Sequence, residues 1–281
     1  MSPPSSPGGQ SSTRDEGPPR ARRRFGQNFL ADARAVSRIV EALAPQPDES
    51  VVEIGPGRGV LTEAILARVP RLSAIEIDRD LAALLRGRFG TERLSLVEAD
   101  VLDVDLRGLE PPLAVVGNLP YNVSKPVAMK LVTERDAIDR AVLMFQREVA
   151  LRLTASPGTA DYGPLTVLAG LAFRIERLFD LPPGAFRPRP EVTSTVTRWT
   201  RPAEEGLTRE LEPRLKALLR AAFARRRQTL LRNLRAALPG GEREAIELLR
   251  GAGIDGSLRA EALPPRSFVA AARLWPDPAR V

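Results

Sequence analysis

Between Ser50 and Phe145 short apolar runs alternate with stretches of helical periodicity, and this alternation constrains the fold more than any other feature. Ser50–Ile54 and residues 72–77, 94–97, 114–116 and 141–145 are runs dominated by Val, Ile, Leu and Ala, as strands buried on both faces require. Residues 60–69, 81–89, 126–133 and 147–155 carry their apolar side chains at helical spacing. Strand and helix in such alternation predict an α/β fold, a doubly wound, mostly parallel sheet of Rossmann-like form. Two further strands are expected at 165–173 and 193–200, the second rich in β-branched residues. A leading helix is expected at 33–43, where Val36, Ile39, Val40 and Leu43 share a face and Pro45 and Pro47 end the pattern.

The flanks read differently. Residues 1–21 are mostly Pro, Ser, Gly and charges, with too little to bury to offset the entropy of ordering, and predict a disordered tail. Residues 22–203 then form the main domain, 201–206 a polar linker, and 207–281 a smaller all-helical domain with helices at 211–238, 242–249 and 267–274. Lys and Arg number 42 against 35 Asp and Glu, nearly all of the positive charge being Arg. Arg forks onto phosphate, so a polyanionic partner is one reading; a codon bias toward Arg is the other. With no Cys and no His, disulfides, thiolate nucleophiles, histidine bases and Cys- or His-ligated metal sites are excluded, and no metal is expected. No apolar run approaches the ~20 residues of a membrane span and no signal-peptide pattern is present, so the expectation is a cytoplasmic protein without a membrane partner.

Three places carry chemistry. Glu53-Ile54-Gly55-Pro56-Gly57-Arg58-Gly59 puts glycines at the carboxyl end of the first sheet strand, where open α/β sheets bind ligands. The spacing is not that of a pyrophosphate loop and Pro56 offers no N–H, which suits a ligand without phosphates. Glu76 ends the next strand, where an acid accepts from ribose hydroxyls, and Asp100 ends the third, where a carboxylate can accept from an adenine amino group. Together they describe an adenosine without phosphates, while Asp78 and Asp80 read as caps of the following helix. Asn118-Leu119-Pro120-Tyr121 follows the fourth strand. An adenine N6 lone pair is delocalised into its ring, so an enzyme using it must accept its two protons; the Asn118 side-chain oxygen and the Leu119 carbonyl are candidates, with Pro120 fixing the chain direction. Tyr121 can stack on a base taken out of its strand.

These residues resemble the ribosomal RNA adenine N6-dimethyltransferases. The likeness runs through Gly26-Gln27-Asn28-Phe29-Leu30, the Glu53 to Thr62 loop, Glu76-Ile77-Asp78, Asn118 to Asn122, Gln146-x-Glu148-Val149-Ala150, Tyr162-Gly163, Ala185-Phe186-x-Pro188-x-Pro190, Ala222-Phe223-x-x-Arg226-Arg227 and Arg259-Ala260-Glu261. The resemblance implies S-adenosylmethionine as cofactor, held by Gln27, Asn28, Leu30, Gly55, Glu76, Asp100 and Asn118, with Tyr121 and Phe186 bracketing the target adenine. It is closest to the housekeeping branch, which implies dimethylation of two adjacent adenosines in the 3′-terminal hairpin loop of small-subunit RNA within a pre-30S particle, by a monomer. Arg225, Arg226 and Arg227 would supply RNA affinity from a helix; the pattern departs from the family at Gln228, where a Lys is usual. The alternatives are a large-subunit RNA adenine dimethyltransferase and a ribosome-assembly or nucleic-acid binding factor without turnover. Intact Asn118 to Tyr121, Glu76 and Asp100 weigh against loss of catalysis.

Overall fold

A computed structural model describes residues 27–202 and 206–277. The expected tail and Arg22 to Arg24 lie outside the described residues. The elements in chain order are β1 (Phe29–Leu30), α1 (Ala33–Leu43), β2 (Ser50–Ile54), α2 (Val60–Leu66), β3 (Leu72–Glu76), α3 (Arg79–Phe89), β4 (Leu94–Glu98), β5 (Leu113–Asn118), α4 (Ser124–Thr133) and β6 (Ile138–Gln146). There follow α5 (Arg147–Leu153), α6 (Pro164–Ala172), β7 (Arg174–Leu181), β8 (Phe186–Arg187), β9 (Ser194–Thr200), α7 (Leu211–Ala222), α8 (Leu230–Arg235), α9 (Gly241–Gly251) and α10 (Pro265–Leu274).

Seven strands form one sheet in the order β4-β3-β2-β5-β6-β9-β7. The first five run parallel, β9 is antiparallel to β6, and β7 is antiparallel to β9. Side chains alternate across the pleat, so each strand feeds two cores. Along β5, Leu113 and Val115 point to one apolar cluster and Ala114 and Val116 to the other. Along β6, Leu143 and Phe145 part from Val142 and Met144 in the same way. One face is covered by α1, α2 and α3 through Val36, Ile39, Leu61, Ile65 and Leu85; the other by α4, α5 and α6 through Val127, Leu131, Val149 and Val167. The α1 helix starts on Asp32, whose carboxylate accepts from the N–H groups of Arg34 and Ala35, and ends at Ala44 in the left-handed region before Pro45.

Two sequence expectations fail, each for a physical reason. Residues 165–173, expected as a strand, lie in α6 and its C-terminal flank. A segment apolar all round has no period to separate a buried strand from a buried helix; Pro164 in its first turn and the Thr166 hydroxyl accepting from Gly163 N–H at 3.1 Å settle it as a helix. The missing strand is β7, which carries Arg174, Glu176, Arg177 and Asp180 as a charged sheet edge does. The single helix expected over 211–238 is broken into α7 and α8. Thr229 caps α8 by accepting from Arg232 N–H, and Asn233 Nδ2 donates to the carbonyls of Ala222 (2.8 Å) and Arg225 (3.2 Å), holding the turn between the helices. Arg225, Arg226 and Arg227 therefore stand exposed on a turn and not on a helix.

The C-terminal helices do not enclose a core of their own. Leu207, Leu211, Leu215, Leu218 and Leu219 join the same apolar cluster as Val127, Leu131 and Val132 of α4. A buried ion pair crosses the seam, Arg135 Nη1 to Glu212 at 2.6 Å, while Arg135 Nε donates to the Leu207 carbonyl at 3.0 Å. Tyr162 Oη donates to the Leu263 carbonyl at 2.8 Å, and Gly158 N–H to that of Glu261 at 2.7 Å.

Candidate active site

The strand order reverses between β2 and β5, and a crevice opens where these two neighbours diverge at their carboxyl ends. The cleft there holds about 190 Å³ and is walled by Gln27 to Phe29, Gly55, Gly57, Glu76, Asp100 and Asn118 to Val123, among others. Two glycines make it possible. A Cβ on Gly117 would lie 2.8 Å from the Ile54 carbonyl oxygen, so only glycine lets β5 carry Asn118 to the cleft edge at this register. Gly57 has φ 58°, and a Cβ on it would meet the Phe29 ring at 2.9 Å, so the N-terminal segment closes directly on the loop.

Each proposed ligand-binding residue has a definable local role. Glu76, 4 % exposed, accepts from Gly57 N–H with Oε2 and from Asp78 N–H with Oε1, both at 3.0 Å. Its carboxylate pins the glycine loop and keeps lone pairs for hydroxyl donors. Burial raises its pKa, against the pull of those backbone hydrogen bonds. Asp100 lies in the cleft wall and caps the following turn through Leu102 N–H at 2.9 Å. Asp78 caps α3 by accepting from Asp80 N–H, as its position suggests, and also receives Gln27 Nε2 at 3.4 Å, which anchors Gln27 in the wall. Asn118 Nδ2 donates to the Asn28 carbonyl at 2.8 Å; with the amide so oriented, Oδ1 is the acceptor left to the cleft. Tyr121 Oη and Ser194 Oγ share a hydrogen bond at 3.0 Å, and Ser124 Oγ donates to the Tyr121 carbonyl at 3.0 Å. The ring thus stands half-buried and held by its hydroxyl, while Ser124 fixes the Tyr121 backbone, and burial raises the hydroxyl pKa.

Leu119 and Pro120 complete the loop in the cleft wall, the Leu119 side chain buried in the core beneath. Leu30 stands one step back, lining a smaller recess that shares Phe29, Gly55, Gly57 and Asn118 with the cleft. Phe186 is a correction: it is fully buried in the apolar cluster, pairs with Leu30 through the β1–β8 ladder, and is absent from the cleft wall. With Phe186 turned into the core, the aromatics that line the cleft are Phe29 and Tyr121. Arg226 has a structural part as well, for its guanidinium donates through Nη2 to the carbonyls of Ala160 (2.8 Å) and Tyr162 (3.1 Å) and so ties the turn to the catalytic half. Sequence reading passed over Gly117, Ser194 as a partner of Tyr121, and Glu53. Glu53 is 1 % exposed beneath the loop, accepts from Thr62 Oγ1 at 2.6 Å, and is pushed up to about 7 by burial.

Among the described residues lining the cleft there is no Lys or Arg, whereas two carboxylates and the side-chain amides of Gln27, Asn28, Asn118 and Asn122 are present. That donor set disfavours a phosphate and favours a cationic ligand rich in hydroxyl and amino donors, the chemistry of S-adenosylmethionine. No cluster of acids able to hold a metal occurs among the described residues, and no helix there is long and apolar enough to cross a membrane.

The sheet order, the reversal-point cleft and its acidic lining define a class I, S-adenosylmethionine-dependent methyltransferase. The chain belongs to the ribosomal RNA adenine dimethylase family, whose model matches residues 19–274. It is 48 % identical to ribosomal RNA small subunit methyltransferase A of Acidobacterium capsulatum, over 90 % of this chain and 89 % of that protein. To the protein of the same name from Aromatoleum aromaticum it is 45 % identical, over 89 % and 92 %. Among solved structures, 23S rRNA methyltransferase ErmE is similar with a TM-score of 0.65 and 28 % identity, covering 88 % of this chain and 99 % of that one. A dimethyladenosine transferase from Plasmodium falciparum shares the fold with a TM-score of 0.76 and 24 % identity, over 86 % and 95 %.

Proposed function

We propose that the cleft dimethylates N6 of two adjacent adenosines in the 3′-terminal hairpin loop of small-subunit ribosomal RNA, and that the enzyme acts as a single chain on an assembling pre-30S particle. Enzyme class and cofactor follow from the family: the chain is an S-adenosylmethionine-dependent rRNA adenine dimethyltransferase. The small subunit is favoured over the large by identities of 45 % and 48 % to enzymes named for the small subunit, against 28 % to ErmE.

The observation that carries the mechanism is the Asn118 to Asn28 hydrogen bond, which fixes the Asn118 amide so that Oδ1 accepts one N6 proton. The Leu119 carbonyl, next along the loop, accepts the other. Drawing on both protons returns lone-pair density from the ring to N6 and orients it, and acceptors already in place cost no reorganisation as charge develops there. S-adenosylmethionine, when bound, supplies the electrophilic methyl group. Gln27, Asn28, Glu76 and Asp100 hold it as the family resemblance implies, with Gly55 leaving room for close approach. Tyr121, braced by Ser194 and Ser124, offers its face to the adenine once the base leaves its stack. Arg225 and Arg227 stand exposed on the turn before α8, where they can meet phosphate. After one transfer N6 keeps a single proton, so one acceptor suffices for the second.

Primer extension across small- and large-subunit RNA incubated with enzyme and cofactor tests this. Stops at two adjacent adenosines near the 3′ end of small-subunit RNA are expected. Stops confined to large-subunit RNA would overturn the assignment.

A further inference from the structure

A second concavity, of about 600 Å³, opens beside the proposed base platform and plays no part in the mechanism above. It is lined by Gln146, Arg147, Glu148, Leu151, Val192 and Thr193. Gln146 is the last residue of β6 and pairs in register with Ser194, whose hydroxyl holds Tyr121 at 3.0 Å. The groove therefore begins at the strand partner and the chain neighbour of the residue that holds the platform, Gln146 and Thr193. Its floor is fixed: Arg147 N–H donates to the Thr193 carbonyl at 3.0 Å, locking the start of α5 to the loop before β9.

The lining selects an occupant. Arg147 already faces Asp180 at 3.7 Å, and Asp180 in turn accepts from Thr195 Oγ1 at 2.6 Å. With Glu148 in the same wall, the groove lacks the unbalanced positive charge that a phosphate needs. Val192, 42 % exposed, and Leu151 offer apolar surface to a flat ring. The Gln146 amide can pair with both N6 and N7 of an adenine, and the Glu148 carboxylate accepts from an exocyclic amine but repels a carbonyl oxygen.

We infer that this groove binds the base next to the target adenosine on the same RNA strand and selects an amino-bearing base there, adenine above all. The inference rests on the RNA-methylating reading of the cleft. A strand whose base is held at Tyr121 carries its neighbour one nucleotide step away, and contacts to flanking nucleotides are a general means by which base-flipping enzymes choose sequence context. Gln146 and Glu148 are then specificity determinants, reading the neighbour without touching the reacting atoms.

The test uses small-subunit particles reconstituted from rRNA carrying either adenosine or inosine beside the target, on the 5′ side in one pair and the 3′ side in another. Inosine replaces the amine with a carbonyl and turns the N1 acceptor into an N1–H donor, leaving N7 as it is. For the wild type, kcat/KM at the target should favour the adenosine neighbour on one side by about tenfold or more, the range of one bidentate pairing. Gln146→Ala combined with Glu148→Ala should bring that ratio close to one, with S-adenosylmethionine affinity unchanged as the control for folding. Glu148→Lys alone, at an exposed position, should shift the ratio toward inosine, since an ammonium donates to the carbonyl. A wild type indifferent to the neighbour on both sides, or variants that keep the wild-type preference, would overturn the groove assignment while leaving the catalytic reading intact. A wild type that methylates neither particle would overturn the catalytic reading and the groove with it.

Discussion

Asn118 and Asn28, 90 residues apart in sequence, are joined by a 2.8 Å hydrogen bond from the Asn118 amide nitrogen to the Asn28 carbonyl. The proposed acceptor is thereby aimed by the N-terminal segment, which also closes on Gly57 through Phe29. In the proposed mechanism, replacing Asn118 with Ala removes an acceptor that acts as charge develops on N6. The single-turnover rate should fall by roughly 2.7–4 kcal/mol in barrier terms, as for a lost oxyanion-hole donor, with a much smaller loss of cofactor affinity. Asp100→Ala should show the opposite order, weakening cofactor binding in calorimetry before it slows transfer. Near wild-type turnover in Asn118→Ala would remove Asn118 from the mechanism.

Glu53 links stability to pH. Its folded pKa, raised to about 7 by burial, lies above that of the unfolded chain, so the folded state binds the extra proton between the two values and stability falls as pH rises through that window. Glu53→Gln keeps an acceptor for Thr62 and removes the charge. Its unfolding free energy should be close to the wild type near pH 5 and exceed it at pH 8 by on the order of 3 kcal/mol, read from denaturation midpoints. Equal midpoints at pH 8 would show that the carboxylate is better solvated than its burial indicates.

Glu212 behaves with the opposite sign. Burial alone would raise its pKa, but hydrogen bonds from Lys216, Arg135 and Thr133 outweigh it and the pKa is lowered. Its contribution is full above the ordinary glutamate value and is lost as pH falls through the lowered folded value. Arg135→Ala leaves Glu212 held by Lys216 and Thr133 and should destabilise by about 1.5–3 kcal/mol, the range of a hydrogen bond to a charged group, whereas Arg135→Met with Glu212→Leu should recover much of that loss in urea titrations. An unaffected Arg135→Ala would mean that the seam is solvated.

The three arginines of the α7–α8 turn should separate. Arg225→Ala with Arg227→Ala should weaken RNA binding and reduce the salt slope by about 0.7 to 0.9 for each phosphate no longer neutralised, with thermal stability unchanged. Arg226→Ala breaks two hydrogen bonds to the catalytic half and should cost about 1 kcal/mol of stability. If all three variants changed only the salt slope, the Arg226 tie would have no energetic weight.

Much of the sheet was readable because strands buried on both faces leave continuous apolar runs, and Val115-Val116 leading into Asn118-Leu119-Pro120-Tyr121 placed the chemistry at a strand end. Asp78 was readable as a cap because capping is local. What stayed hidden depends on distant partners. Nothing near Asn118 announces that Asn28 orients it, nothing near Gly117 that the Ile54 carbonyl lies against it, and nothing near Arg226 that its acceptors are Ala160 and Tyr162. Phe186 was misplaced because a short strand pairing with Leu30 has too few residues to show a period. The α6 helix reads as a strand in the sequence because an all-apolar segment looks alike in either geometry.

The seam between the sheet and the helices from α7 onward has a consequence for how such enzymes acquire new targets. Because Leu211, Leu215 and Leu218 finish the core begun by Leu131 and Val132, the C-terminal segment from Leu207 onward is no detachable cassette. A chimaera that took this segment from a relative would inherit half of a mated surface, including one member of the Arg135–Glu212 pair, and would misfit unless α4 and α6 came with it. Retargeting in this architecture is confined to residues that face outward from the seam, such as the turn carrying Arg225 and Arg227, where substitutions alter what is touched without disturbing what is joined.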